Sequence, residues 1–190
     1  MNLVRLLPVG KLEPSLLDGL RSGISRRFNA RCELLPIEFD PIPAYHAERQ
    51  QFHSSEILQA MQAFDRPEGC HLLGITSVDL YIPILKYVFG EAQVGGPCAI
   101  VSFHRLRQEF YGLDHDEALL SERLLKECIH ELGHTLDLRH CQDYRCAMAS
   151  AHAVEWIDLR ESSLCDACQK QVDSRRWPGK LRSIYKALRP

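Results

Sequence analysis

The chain has 190 residues, 45% of them hydrophobic and 25% charged, with a formal net charge of −2. That length supports one hydrophobic core and one compact domain spanning residues 1–190, and the composition is that of a globular protein, which excludes disordered, collagenous and coiled-coil chains. The small net charge argues against a protein built to hold a polyanion, so no nucleic-acid partner is expected.

The opening residues, MNLVRLLPVG, place Arg5 inside a short apolar run and offer neither a basic leader nor a small-residue cleavage site, so no signal peptide is expected. No later run approaches the roughly 18 apolar residues of a bilayer span, and the expectation is a soluble cytoplasmic protein with no membrane partner. In that setting the eight cysteines read as thiols that bind metal or fill the core rather than as disulfides.

In chain order, the apolar run 2–7 ending at Pro8 predicts a strand, and Leu12, Leu16, Leu17, Leu20 and Ile24 recur at helical spacing. Residues 33–39 predict a second strand, closed by Pro41 and Pro43, and 55–64 a second amphipathic helix through Ile57, Leu58, Met61 and Phe64. This alternation predicts an α/β layer architecture. The apolar run 71–76 predicts a strand buried on both faces. Residues 79–94, the turn signal Gly95-Gly96-Pro97 and the run 98–103 predict two further strands about a tight connection. From Glu117, the residues Leu120, Leu124, Cys128 and Leu132 lie four apart, which predicts a helix over about 117–136 capped by Asp114 or Asp116. Beyond Asp137 the pattern is irregular and bears cysteines, with a short helix expected from Pro178.

The long helix carries His130-Glu131-Leu132-Gly133-His134. A separation of four residues stacks the two imidazoles on one face, a turn apart, as two ligands of one tetrahedral ion require. Glu131 is rotated one residue from His130, where a carboxylate can reach a zinc-bound water without being a ligand. Those five letters also fit a helix with two surface histidines. What separates the readings is His140, six residues on, where the helix has ended and a tight turn can return a third imidazole to the metal. Three protein ligands leave the fourth position open, as in catalytic zinc, and Glu131 then serves as general base toward the zinc-activated water.

The segment HELGHTLDLRHC resembles the metzincin signature HExxHxxGxxH. Cys141, Cys146, Ala147, Met148 and the distant Cys165-x-x-Cys168 resemble more narrowly the archaemetzincins, as do Asp79-Leu80-Tyr81, Val88 to Ala92 and Ala99 to Ser102. The resemblance covers the second half of the chain closely and the first half in element order. It implies a metzincin-like domain: a twisted mixed sheet with an antiparallel edge strand near residues 88–94, packed on helices, forming an N-terminal subdomain (about 1–136) before a zinc-stapled C-terminal part (about 137–190). It implies that Met148 forms the Met-turn beneath the zinc. Metzincins have glycine where this chain has Asp137; aspartate tolerates a left-handed backbone better than most residues, so the turn should survive at a cost of about 1 kcal/mol. Asp137 can also accept a hydrogen bond from a ligand imidazole or bind metal itself. Ser150 stands where some metzincins place a tyrosine, so no tyrosine ligand is expected there.

Cys141, Cys146, Cys165 and Cys168 form two closely spaced pairs, and four thiolates close a tetrahedron, which predicts a structural zinc and a total of two zinc ions per chain. The rival for the last pair, a redox motif, lacks a thioredoxin-like βαβ context. Because adjacent side chains in an extended segment point oppositely, His140 and Cys141 can each face its own metal. Cys32, Cys70, Cys98 and Cys128 read as small core residues, and His46, His53, His71 and His152 as isolated polar residues. His104, Tyr111 and His115 read as surface or packing residues that can also reach a cleft. The basic run Lys170, Arg175, Arg176, Lys180, Arg182, Lys186 and Arg189 reads as a solvated face.

The expected function is that of a zinc peptidase whose extended peptide substrate adds to the sheet edge. The alternative is a zinc-stabilised binding scaffold with weak or no catalysis, hinted at by Asp137 and by the missing tyrosine. Nucleic-acid binding through the cysteines fits the charge poorly.

Overall fold

The computed structural model describes residues 1–176. Its frame is a five-stranded sheet ordered β2-β1-β5-β8-β7, built from β1 (Leu3–Val9), β2 (Arg31–Leu34), β5 (Cys70–Thr76), β7 (Gly90–Ala92) and β8 (Cys98–Ser102). The first four strands are parallel and β7 runs antiparallel along β8 at the edge, as expected for the strand near residues 88–94.

Helices on both faces explain why β5 and β8 are nearly continuous apolar runs. One face meets α1 (Pro14–Phe28) and α3 (Glu117–Thr135), where Leu6, Leu73 and Val101 pack with Leu20, Ile24 and Leu124. The other meets α2 (Ser54–Met61), where Leu7, Leu72 and Ile100 pack with Ile57 and Met61. Neighbours such as Leu6 and Leu7 serve opposite faces, as the period of two demands. The expected 71–76 strand is buried at all but one residue.

A second, three-stranded sheet was not foreseen: β3 (Tyr45–His46), β4 (Gln51–His53) and β6 (Leu80–Tyr81), in the order β3-β4-β6. Strands of two or three residues leave too short an alternation to read. The strand expected at 33–39 is displaced to Arg31–Leu34, with Phe39 returning to β1 only at an isolated bridge to Val9. The chain leaves β1 at Pro36, whose ring fixes φ, and Phe39 N–H rather than that of residue 37 reaches the Pro8 carbonyl. The strand ending at Pro8 instead continues to Val9. The Pro8 carbonyl accepts from Phe39 N–H, on the side away from β5, so the missing donor leaves the β1–β5 ladder intact. Helix α2 ends at Met61 rather than Phe64.

The stretch after residue 137 is more ordered than its pattern implies, with α4 (Val154–Leu159) and α5 (Asp166–Arg176). Leu138, Cys146, Met148, Cys168 and Val172 make a small core of their own there. The helix expected from Pro178 lies outside the described residues, as do Lys180, Arg182, Lys186 and Arg189 of the basic run.

Candidate metal centres and cleft

Helix α3 positions the site. It starts at Asp116, whose carboxylate accepts from Leu119 N–H at 2.9 Å, which decides between the two candidate caps. It ends in a reversal in which Asp137 N–H donates to His134 O at 2.8 Å and Leu138 N–H to Gly133 O at 3.1 Å. That is the Schellman pattern, and its left-handed position is Asp137, at φ 62°. Aspartate thus occupies the conformation that glycine would, and the chain turns back toward the helix.

The turn brings His140 to His130 and His134, with one ring nitrogen of each lying within 4.8 Å of the others. His130 Nδ1 lies 2.8 Å from Ala147 O and His134 Nδ1 lies 2.8 Å from Leu138 O. A carbonyl can only accept, which places the proton on Nδ1 of each ring; Arg160 Nη1 also lies 2.9 Å from His130 Nδ1, but its two N–H groups have the Ala149 and Ala147 carbonyls as acceptors, so both Nε2 atoms present lone pairs. Those two Nε2 atoms are 3.1 Å apart, close to the roughly 3.3 Å expected for two nitrogens on one tetrahedral zinc. Burial lowers the pKa of all three histidines, His130 to about 3 with help from His134. Facing lone pairs on neutral rings repel unless a cation lies between them, so the residues fit a bound zinc.

Glu131 is buried beside the rings, and its pKa is pushed up to about 8 by desolvation and then by Glu91. It owes its place to Gly90 on the edge strand, where a Cβ would sit 2.7 Å from Glu131 Cγ. Glu91 itself is held by the hydroxyls of Ser54 and Ser55 at the start of α2. Gly133 plays the corresponding part for Met148, since a Cβ there would overlap the methionine sulfur. Met148 is fully buried against the helical turn that carries His130 and His134.

Two further charged residues carry no motif. Arg160, 2% exposed, donates to the carbonyl of Ala149 at 2.8 Å and to that of Ala147 at 3.3 Å, and it pairs with buried Glu127. Glu127 lies on the same α3 face as His130 and Glu131, a spacing that was readable, whereas nothing in the sequence marks Arg160. His152, read as isolated, lines the cleft of about 580 Å³ in front of the rings, and its carbonyl accepts from the Tyr87 hydroxyl at 2.9 Å. Ser150 lines it as well. His104, Tyr111 and His115 lie outside that cleft: their partners are Ser77 O, Arg105 O and Glu109.

The four sulfurs of Cys141, Cys146, Cys165 and Cys168 also lie within 4.8 Å of one another. The Cys141 and Cys165 sulfurs are 3.7 Å apart, against roughly 3.8 Å for two thiolates on one tetrahedral zinc. Cys141 N–H donates to Met148 O at 2.9 Å, and Met148 N–H approaches Cys146 Sγ at 3.4 Å. The segment that carries His140 is thereby tied to the methionine and to the cysteine cluster. Cys70, Cys98 and Cys128 are buried and Cys32 is half-buried against the core, as expected.

Comparison with known proteins agrees with this geometry. Residues 49–174 match the model of peptidase family M54. An archaemetzincin of Methanocaldococcus jannaschii is 39% identical over 168 residues, 88% of this chain and 91% of its own length. A crystal structure of a zinc-dependent peptidase from Methanocorpusculum labreanum superimposes with a TM-score of 0.82 at 25% identity, covering 89% of this chain and 99% of that one. The crystal structure of an archaemetzincin from Methanopyrus kandleri gives 0.79 at 29% identity, covering 92% and 95%.

Two outcomes follow from the links around the rings. Cys165→Ser is expected to lower the melting temperature and to weaken zinc binding at the histidines on the order of 10-fold, the scale on which groups that orient ligand imidazoles act; unchanged affinity by chelator competition in a folded variant refutes the coupling. Arg160→Met strands the Glu127 carboxylate and is expected to cost about 3–5 kcal/mol. Adding Glu127→Gln should recover part of that in urea unfolding, and a double variant no more stable than the single one removes the ion pair as the cause.

Proposed function

We propose, for a chain that belongs to peptidase family M54 and is therefore a zinc metallopeptidase, that it hydrolyses peptide bonds with Glu131 as general base and with His130, His134 and His140 holding the catalytic zinc. The observation that carries this reading is the convergence of three neutral rings, two of them with Nε2 left bare by a carbonyl on Nδ1. Zinc, when bound, lowers the pKa of a coordinated water to roughly 7 and polarises the scissile carbonyl.

Glu131 is buried next to the rings and, without a nearby cation, would hold its proton to about 8. A dication on three neutral histidines provides the opposite charge that lets it ionise. It then accepts the proton of the attacking water and passes it to the leaving amine. The peptide is placed by β7. Phe89 O and Gln93 N bond to β8, so by alternation the N–H and C=O of Gly90 and Ala92 face the open edge, where an extended peptide can pair with them.

The αL turn at Asp137 keeps His140 beside its partners, which supports catalysis over the scaffold alternative. Cys141, Cys146, Cys165 and Cys168 would hold a second, structural zinc, for two ions per chain. Thiolates that must stay reduced fit a reducing compartment, and the cytoplasm is the proposed location. Among the described residues no helix is long and apolar enough to cross a membrane.

Protein purified without added metal should carry two zinc ions per chain by elemental analysis, and Glu131→Ala should keep both while abolishing cleavage. A single ion, or a Glu131→Ala variant that still cuts, overturns the assignment. Gly90→Ala pushes into Glu131 and should lower kcat about 100-fold, the scale for a misplaced catalytic group, with zinc content unchanged.

A further inference from the structure

A second cavity, of about 840 Å³, opens beyond the carboxyl ends of β5 and β8, the side of an open α/β sheet on which ligands bind. Ser77 and Asp79 line it from the segment after β5, His104 and Arg105 from the segment after β8, Arg49 from the turn before β4, and Lys86 from the loop at 82–87. Asp79 is its one carboxylate, and that group is already shared. Arg105 donates to both of its oxygens at 2.7 Å, and Gln51 to one at 2.9 Å. Arg49 spends its Nη2 on the carbonyls of Leu85 and Lys86, which fastens the loop from behind. The Lys86 ammonium meets no carboxylate in any ion pair among the described residues. Three cations thus face one neutralised acid.

Lys86 lines both this cavity and the catalytic cleft. Its neighbour Tyr87 lies under the Arg105 guanidinium, 4.1 Å from ring centroid to Cζ, and its hydroxyl holds His152 at the cleft. Beyond Gly90 the outward N–H of Val88 is taken by Leu80 O at 2.9 Å, so a peptide paired with Gly90 would leave the edge there, beside the loop at 82–87.

We propose that this cavity is a subsite for an acidic side chain of the peptide substrate, on the side of the scissile bond that runs toward the loop at 82–87. The proposal rests on the peptidase reading. A carboxylate entering the cavity meets Lys86, Arg49 and Arg105 and leaves none of them short of a partner, because Asp79 already satisfies Arg105. A lysine or arginine side chain there meets like charge.

The test has a binding arm and a cleavage arm. Binding of fluorescein-labelled hexaglutamate and hexaglutamine peptides is measured at low salt in the zinc-loaded Glu131→Ala protein, so that neither is cut. Hexaglutamate should bind at least 10-fold tighter, and Lys86→Glu and Ser77→Glu, the latter lining the second cavity and not the cleft, should each remove the preference. Equal binding, or a preference that survives both changes, overturns the subsite. Displacement of hexaglutamate by micromolar inorganic phosphate at constant ionic strength assigns the cavity to a small anion and overturns it too. In the cleavage arm, active enzyme digests a pool of proteome-derived peptides and the cut sites are read by mass spectrometry. Asp and Glu enriched at one fixed position, and lost in Lys86→Glu, bear out the proposal. Cuts without that enrichment overturn the subsite and leave the peptidase reading standing, whereas no cuts by zinc-loaded enzyme overturn that reading and the substrate role of the cavity with it.

Discussion

One ring nitrogen each of His130, His134 and His140 lies within 4.8 Å of the others, and the rest of the site is arranged to keep them there. Two of the rings cannot rotate their protons inward, because Ala147 O and Leu138 O hold them on Nδ1. Desolvation keeps the rings neutral. A neutral imidazole with a fixed tautomer is what a metal ligand must be, and without a cation this arrangement is repulsive. Metal binding at these rings would therefore be coupled to local folding at the end of α3.

Both carbonyls belong to segments that follow the helix, so how well those segments are ordered decides how well the rings are held. Leu138 comes to His134 through the Schellman reversal at Asp137. Ala147 comes to His130 through the loop that Arg160 clamps, with Glu127 as its counter-charge. A buried guanidinium close to a dication would be unfavourable by itself; paired with Glu127 it brings hydrogen bonds to the loop without adding net charge. The cysteine cluster fixes the same loop from its far side through Cys141 and Cys146.

The edge strand joins this centre to the rest of the molecule. Gly90 gives Glu131 room, Glu91 anchors the strand to the start of α2, and the loop before it separates the cleft from the cationic cavity. A peptide paired with β7 would lie between the rings on one side and Lys86 at its end. The edge strand, the glycine that gives Glu131 room and the lysine that lines both cavities share one short stretch of chain, from residue 82 to residue 92.

The sequence alone determined the parts whose chemistry is local. Helical spacing put His130, Glu131 and His134 on one face of α3, the apolar runs marked β5 and β8 as buried on both faces, and the cysteine spacing marked a thiolate cluster. The resemblance to the metzincin signature placed a left-handed turn at Asp137, and the tolerance of aspartate for that backbone explains why it survives without glycine. What only the tertiary structure decided depends on contacts across the chain. Arg160 finds Glu127 across 33 residues, and Gly90 matters only because Glu131 passes within van der Waals reach of it. His152 joins the cleft through a tyrosine 65 residues away. The second sheet, with strands of two or three residues, has no period long enough to read. Periodicity and spacing report which side of an element is buried; they carry no information about which distant residue will lie against it.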